Sequence, residues 1–347
     1  ANVAFSEWLL DQATELAPLT SDWRALIRDL QTEDYEEIQA FSDQLDPRRQ
    51  AILAFKQAQP LRVEVVNPTS LSRLNRHIEL LEHSHSLDKA WAPASDMLLK
   101  ALATRGLFYL YDQHEPAEAL KDFDAILAIQ PHNVAALTQR GVARQRMKQP
   151  EDALTDFNQV LQSHSNDFAA RFGRAQLLAE RGDYKEALED FDEVQRHYPK
   201  DTIALQKRGE TRHRAGNFRG ARLDLAQALA FRPTDPDLLI SSARVSAIKG
   251  DDKALKGALK ALNHAITLRP DDPEAYAARG KLIYEHELAD VANALSDLNK
   301  SLELRPDDAA TLYERARIHM HRHNWTNALA DLDRSLELNP NNPAALT

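Results

Sequence analysis

A chain of 347 residues with 43% hydrophobic content is long enough to bury a large core, and its net charge of −10 argues against nucleic acid as the main partner. It contains no cysteine, which excludes disulfides, thiol catalysis and cysteine–metal sites but fits a cytosolic or a bacterial periplasmic location equally. No apolar run reaches 18 residues, so no membrane span is expected, and the 10 glycines all fall between Gly106 and Gly280.

The chain begins with helical patterning. Trp8, Leu9, Ala13 and Leu16 share one face of a helix that Pro18 ends. A second helix starts at Thr20 or Ser21 and buries Trp23, Leu26, Ile27 and Leu30. Thr32 caps a third, with Tyr35, Ile38, Phe41 and Leu45 inward. Asp46 followed by Pro47 is a cap with proline at the first helical position, which predicts a fourth helix through Phe55. Residues 1–59 thus read as an N-terminal helical segment, either decayed repeats or a separate cap. Pro60 to Thr69 reads as an extended connector or a short strand, because two prolines bracket a β-branched run. Leu71, Leu74, Ile78 and Leu81 restore a helix, His83-Ser84-His85-Ser86 reads as a loop, and another helix starts near Ser95. Residues 60–99 are therefore a connector and leading helix.

From residue 100 to the end the chain repeats itself. Ala187 and Phe191 recur 34 residues earlier as Ala153 and Phe157, again as Ala119 and Phe123, and 34 residues later as Ala221 and Leu225. The same beat continues through Ala258, Ala294 and Ala328, and in Pro131, Pro199, Pro233, Pro270, Pro306 and Pro340. Each unit reads as two short helices. The first carries Arg105-Gly106, Arg140-Gly141, Arg174-Ala175, Arg208-Gly209, Arg279-Gly280 or Arg315-Ala316; the second carries the alanine, followed four places on by Phe or Leu. Small residues at matched places let two helices approach closely, and the large residue fills the space beside the contact. A fixed period of this length is the signature of a solenoid.

The small-residue slot, the alanine, the aromatic or leucine and the closing proline resemble the tetratricopeptide repeat family over about 240 of the 347 residues. The family's first-helix tryptophan is absent, with Leu137, Arg171 and Leu205 in its slot. The resemblance implies an all-α fold, an α-solenoid of tandem helical hairpins in a right-handed superhelix, here with an N-terminal helical segment and seven units between about Lys100 and Pro340. Asp201, Asp235, Asp272, Asp308 and Asn342 stand at helix caps, and Asp183 with Glu186 forms a capping-box-like pair. Unit five has three extra residues around Lys249–Lys256 and unit six two around Glu285–Val291, both expected in the turn between paired helices. Residues 340–347 repeat the start of unit two, so the chain is expected to stop inside an eighth unit and to leave unit seven less stable or self-associating.

Candidate chemistry is sparse. Arginine precedes the small residue in six units, and aspartate (Asp122, Asp156, Asp190, Asp224, Asp297, Asp331) precedes the Phe/Leu slot in six, while unit five has Ser242 and Ala261 instead. An anion-binding ladder is one reading; joint absence from one unit favours an ion pair within each unit. His319 and His323 share a helix face but lack a third ligand, so no metal is assigned. No G-x-S-x-G, Walker loop, dinucleotide fingerprint or H-E-x-x-H occurs, so no catalytic residue and no cofactor are assigned.

In the family that this chain resembles, the first helices line a concave groove. Matching its positions places Thr138, Val142, Phe172, Gln176, Gln206, Glu210, Ile240, Arg244, Lys281, Tyr284, Tyr313 and Arg317 there. The lysine–asparagine clamp of members that bind chaperone C-termini lacks its asparagines here. The resemblance implies a non-enzymatic scaffold binding a protein or peptide. The alternative is a targeting or regulatory region of a larger enzyme or secretion-assembly protein.

Overall fold

The computed structural model describes residues 47–340, apart from 64, 65, 68, 249, 250, 288 and 289. The three helices expected before Pro47, and the cap and helix expected after Pro340, lie outside the described residues. Within them the chain is all-α, with sixteen helices and no strand. It divides between Asp156 and Phe157 into two compact bodies.

The first body contains α1 (Pro47–Ala58), α2 (Leu71–Leu87), α3 (Ala92–Leu107), α4 (Pro116–Ile129), α5 (Val134–Arg146) and the start of α6 (Pro150–Ser163). Between α1 and α2 the described residues of the connector hold a 3-10 turn at Gln59–Leu61 and no strand. The loop expected at His83–Ser86 is instead the last turn of α2. Ser84 is buried and its hydroxyl donates to the Ala51 carbonyl of α1 at 2.7 Å, while His85 Nδ1 meets Ser95 Oγ of α3 at 2.8 Å. These polar side chains fasten one helix to its neighbours, so they continue the helix rather than end it. Likewise α3 starts at Ala92, with Pro93 in its first turn, slightly before Ser95.

Unit one, α3 with α4, holds one residue more between Gly106 and Ala119 than unit two holds between Gly141 and Ala153. The surplus is taken up as a π turn at Phe108–Asp112, where the Gln113 amide donates to the Phe108 carbonyl at 3.1 Å. His114 leaves it at φ 57°.

The second body contains the end of α6, then α7 (Phe168–Arg181), α8 (Tyr184–His197), α9 (Thr202–Arg214), α10 (Phe218–Phe231), α11 (Pro236–Ala247), α12 (Asp252–Leu268), α13 (Pro273–Glu285), α14 (Val291–Leu304), α15 (Ala309–His321) and α16 (Trp325–Leu338). Units three to seven are the successive pairs from α7/α8 to α15/α16. Ala187, Ala221, Ala258, Ala294 and Ala328 are all buried, and Phe157, Phe191, Leu225, Leu262 and Leu298 fill the core beside them. The close approach is real: a Cβ added at Gly280 would stand 3.0 Å from the Ala294 carbonyl oxygen, and one at Gly173 only 2.5 Å from the Phe157 ring.

Aspartates cap the first helices as expected. Asp201, Asp235, Asp272 and Asp308 each accept from one or two backbone amides of the first helical turn. The Asp183–Glu186 capping box does not form; the Asp183 carboxylate is taken by the Arg181 guanidinium and caps nothing. Unit six carries its extra residues in the turn between α13 and α14. Unit five does not, because α12 begins six residues before Ala258 whereas α10 begins three before Ala221. Its surplus lengthens the second helix, for Asp251 caps early by accepting from the Ala254 amide at 2.8 Å.

Candidate functional site

The arginine row is structural. Arg140 holds Asp156 at 2.7 Å, Arg174 holds Asp190 at 2.7 Å and Arg208 holds Asp224 at 2.6 Å, each inside its own unit. Arg105–Asp122, Arg279–Asp297 and Arg315–Asp331 follow the same geometry at 2.6 Å. Each guanidinium also reaches back to the preceding hairpin, an acceptor that the sequence reading missed. Arg140 donates to Asp124 at 2.8 Å, Arg174 to Asn158 at 2.9 Å, Arg208 to Asp192 at 2.9 Å, Arg279 to Asn263 at 2.8 Å and Arg315 to Asn299 at 2.9 Å. The signal was present: these acceptors stand two places after the aspartate slot, and Ala226 occupies that position just where the next unit has Ser242 for arginine. A planar donor fork that serves two helices in this way is a staple between units. With its aspartates buried and its forks engaged, the row offers no ladder to an external anion.

The histidines do not converge. His323 sits at φ 54° in the turn after α15, its ring 5.6 Å from Trp325, and His321 lies against Tyr284 at 6.0 Å. Burial lowers the pKa of His319. No group of three or more His, Asp or Glu among the described residues is placed to hold a metal ion.

The twelve groove positions have different surroundings. Thr138 is buried and Val142 half-buried in the first body. In the second, Ile240 is buried, Gln176 and Tyr313 are half-buried, and Phe172 packs edge-on to Phe191 at 5.8 Å within its own hairpin. Gln206 and Glu210 of α9 form a polar knot with Ser241 of α11: Gln206 Nε2 donates to Ser241 Oγ at 3.0 Å, and that hydroxyl donates to Glu210 Oε1 at 2.9 Å.

Arg244 and Lys281 line a cleft of about 570 Å³ on the first-helix face of units five to seven, where α11, α13 and α15 lie side by side. Five alanines, Ala243 and Ala247 from α11, Ala277 and Ala278 from α13 and Ala310 from α15, make up its apolar lining together with Ile248, Leu262, Leu282 and Leu298. Short side chains on three parallel elements leave the depth that longer ones would fill. Its rim is charged and paired. Arg244 meets Glu274 at 3.5 Å. Lys281, Glu314, Arg317 and Glu285 form a closed ring of alternating charge, with contacts of 2.6, 2.6, 3.3 and 3.8 Å in that order. Behind it the Arg317 guanidinium lies 5.6 Å from the centre of the Tyr284 ring, whose hydroxyl donates to the Arg317 carbonyl at 3.4 Å. His213 also lines the cleft, and burial, with Arg214 and Arg244 near, lowers its pKa. Glu274, Glu285, Glu314 and the lining alanines were not singled out from sequence, although they occupy the same face as Arg244 and Lys281.

Residues 138–202 and 179–237 match one tetratricopeptide repeat model, and residues 309–342 match a second. Those stretches of the chain are tetratricopeptide repeats. Solved structures share the chain's fold. A tetratricopeptide repeat protein from Parabacteroides merdae is 20% identical over 72% of this chain and 96% of its own, with a TM-score of 0.60. The APC/C hetero-tetramer Cut9-Hcn1 gives 18%, 93% and 61%, with a TM-score of 0.58, and pilF of Pseudomonas aeruginosa 17%, 65% and 99%, with a TM-score of 0.53. At these identities the likeness is one of fold. No curated protein matches the chain. Tetratricopeptide repeats generally serve as non-catalytic scaffolds for protein–protein interaction. No helix among the described residues of this repeat protein is long and apolar enough to cross a membrane.

Proposed function

We propose that this chain is a non-enzymatic scaffold that holds a peptide or protein segment on the first-helix face of units five to seven. One observation carries the reading: the cleft of about 570 Å³ between α11, α13 and α15, with an apolar lining of alanine, leucine and isoleucine and a paired, charged rim. An apolar centre within a polar border is the arrangement in which a partner's side chain loses its water while the margin stays solvated. The row of first helices repeats the same backbone surface from unit to unit, which suits an extended partner.

Photo-crosslinking tests this. A benzoylphenylalanine at position 281, on the cleft, should capture partner polypeptide from a lysate of the source cells. The same group at position 333, on the exposed side of α16, should not. Capture from position 333 with none from position 281 would move the interaction surface to the second helices.

A further inference from the structure

The rim of the cleft has already spent its charge on itself. Four carboxylates border the cleft, and each has a cation of this chain beside it: Glu314 has Lys281 at 2.6 Å, Glu285 has Arg317 at 3.3 Å, Glu274 has Arg244 at 3.5 Å and Asp308 has Arg305 at 3.6 Å. A charged group entering from a partner would meet no surplus of either sign. To gain a contact it would have to displace a member of the ring, exchanging one exposed pair for another with little net gain. What stays unsatisfied is the apolar lining. Ala247, Ala277 and Ala310, one from each of three neighbouring first helices, line the cleft with short side chains, the first two half-buried and Ala310 exposed.

We infer that the occupant is a segment of another polypeptide that anchors through a large apolar side chain (leucine, isoleucine, methionine or phenylalanine) seated against this apolar lining. This rests on the scaffold reading above and deepens it. The anchor's hydrocarbon replaces water over the alanines, the dominant favourable change when apolar groups meet. The rim then acts as a neutral collar that offers a charged residue no surplus of the opposite sign, so selection at that position comes from apolar contact.

The experiment uses the full chain and a random library of 12-residue peptides displayed on phage, followed by titration of the enriched peptides by fluorescence anisotropy. The expected peptides carry a large aliphatic or aromatic residue whose replacement by alanine weakens binding about tenfold or more. Filling the cleft with Ala277→Trp should weaken binding as much, and so should Ala310→Trp, which starts from an exposed position and spares the core if Ala277→Trp misfolds. Affinity should change little between about 0.05 and 0.5 M salt, since apolar seating is not screened. Peptides that respond to Ala310→Trp but anchor through an acid or a base, with affinity collapsing in salt, would overturn the inference and leave the scaffold reading standing. Peptides indifferent to both tryptophan substitutions, or no enrichment at all, would overturn both.

Discussion

The staple around Asp224 allows the energetics of the array to be tested at one residue. Its carboxylate is buried and accepts from Arg208 at 2.6 Å and Arg212 at 2.8 Å, and both arginines also hold Asp192 of the preceding hairpin, at 2.9 and 3.0 Å. Removal of Asp224 by Asp224→Ala leaves two guanidiniums over a partly dry site. Breaking a fully buried pair costs about 3–5 kcal/mol and an exposed one about 0.2–1. Here Arg208 is 12% and Arg212 21% exposed, and Asp192, 46% exposed, still engages both, so the loss should fall between, at about 2–3 kcal/mol. Repeat arrays distribute stability by neighbour, so the assay is hydrogen exchange rather than a single melting temperature. Protection should fall by about that amount at Val194, Leu205 and Leu225, with little change at Leu298 four helices on. Asp192→Ala, which removes only the solvated member, should cost about 1 kcal/mol or less. Equal effects from the two substitutions, or a loss of less than about 0.5 kcal/mol from Asp224→Ala, would refute the argument that burial gives the staple its strength.

Unit five lacks the staple, so the triple substitution Ser242→Arg, Ala261→Asp and Ala226→Asn should supply one and raise protection across α10 and α11 by about 0.5–2 kcal/mol, whereas Ser242→Arg alone should not. Gly173→Ala should destabilise by about 1–3 kcal/mol through its clash with Phe157, seen in urea denaturation as a lower midpoint, and more than Gly209→Ala, whose Cβ meets Leu225 at 3.1 Å. His77 donates from Nδ1 to the Ala58 carbonyl at 2.8 Å, and burial pushes its pKa down, with Arg62 and Arg73 adding to the effect. The unfolded chain therefore takes up the proton first; the contribution is present above about pH 6.5 and is lost as pH falls through the lower, folded value. Protection factors in α1 and α2, corrected for the slower intrinsic amide exchange at lower pH, should fall on acidification from about pH 7.5 to 5, and His77→Gln should flatten that dependence.

The repeat was legible because its requirements are local and unforgiving. Gly280 and Ala294 must both be small for their backbones to approach, so composition at those positions reports contact directly. The ion pairs were legible by a different route, joint absence: in unit five arginine and aspartate give way together, to Ser242 and Ala261, because either alone would be stranded. Ala226 belongs to the same set. It was not read because its arginine would lie on the next helix, at a distance that no single hairpin reveals. His83–Ser86 misled for a related reason: polarity signals a loop only when water is the partner, and here Ala51 and Ser95 are. The insertions show that caps, not lengths, decide where surplus residues go. Asp251 stands seven places before Ala258 and starts α12 early, while Asp290 stands four before Ala294, as Asn217 does before Ala221, and leaves its surplus in the turn.

The cleft was the least legible feature, and Lys281 shows why. A cation on a repeated first helix has two kinds of partner within reach, one on its own helix four residues on and one on the next first helix about 33 on. Sequence offers both Glu285 and Glu314 without ranking them. In the fold Lys281 lies 2.6 Å from Glu314 and 3.8 Å from Glu285, so the contact across helices dominates. That choice ties α13 to α15 at the surface and uses up the charge that would otherwise define a ligand. The apolar lining remains as the part of the face with most to gain from a partner, which directs a search for that partner toward aliphatic and aromatic anchors rather than charged termini.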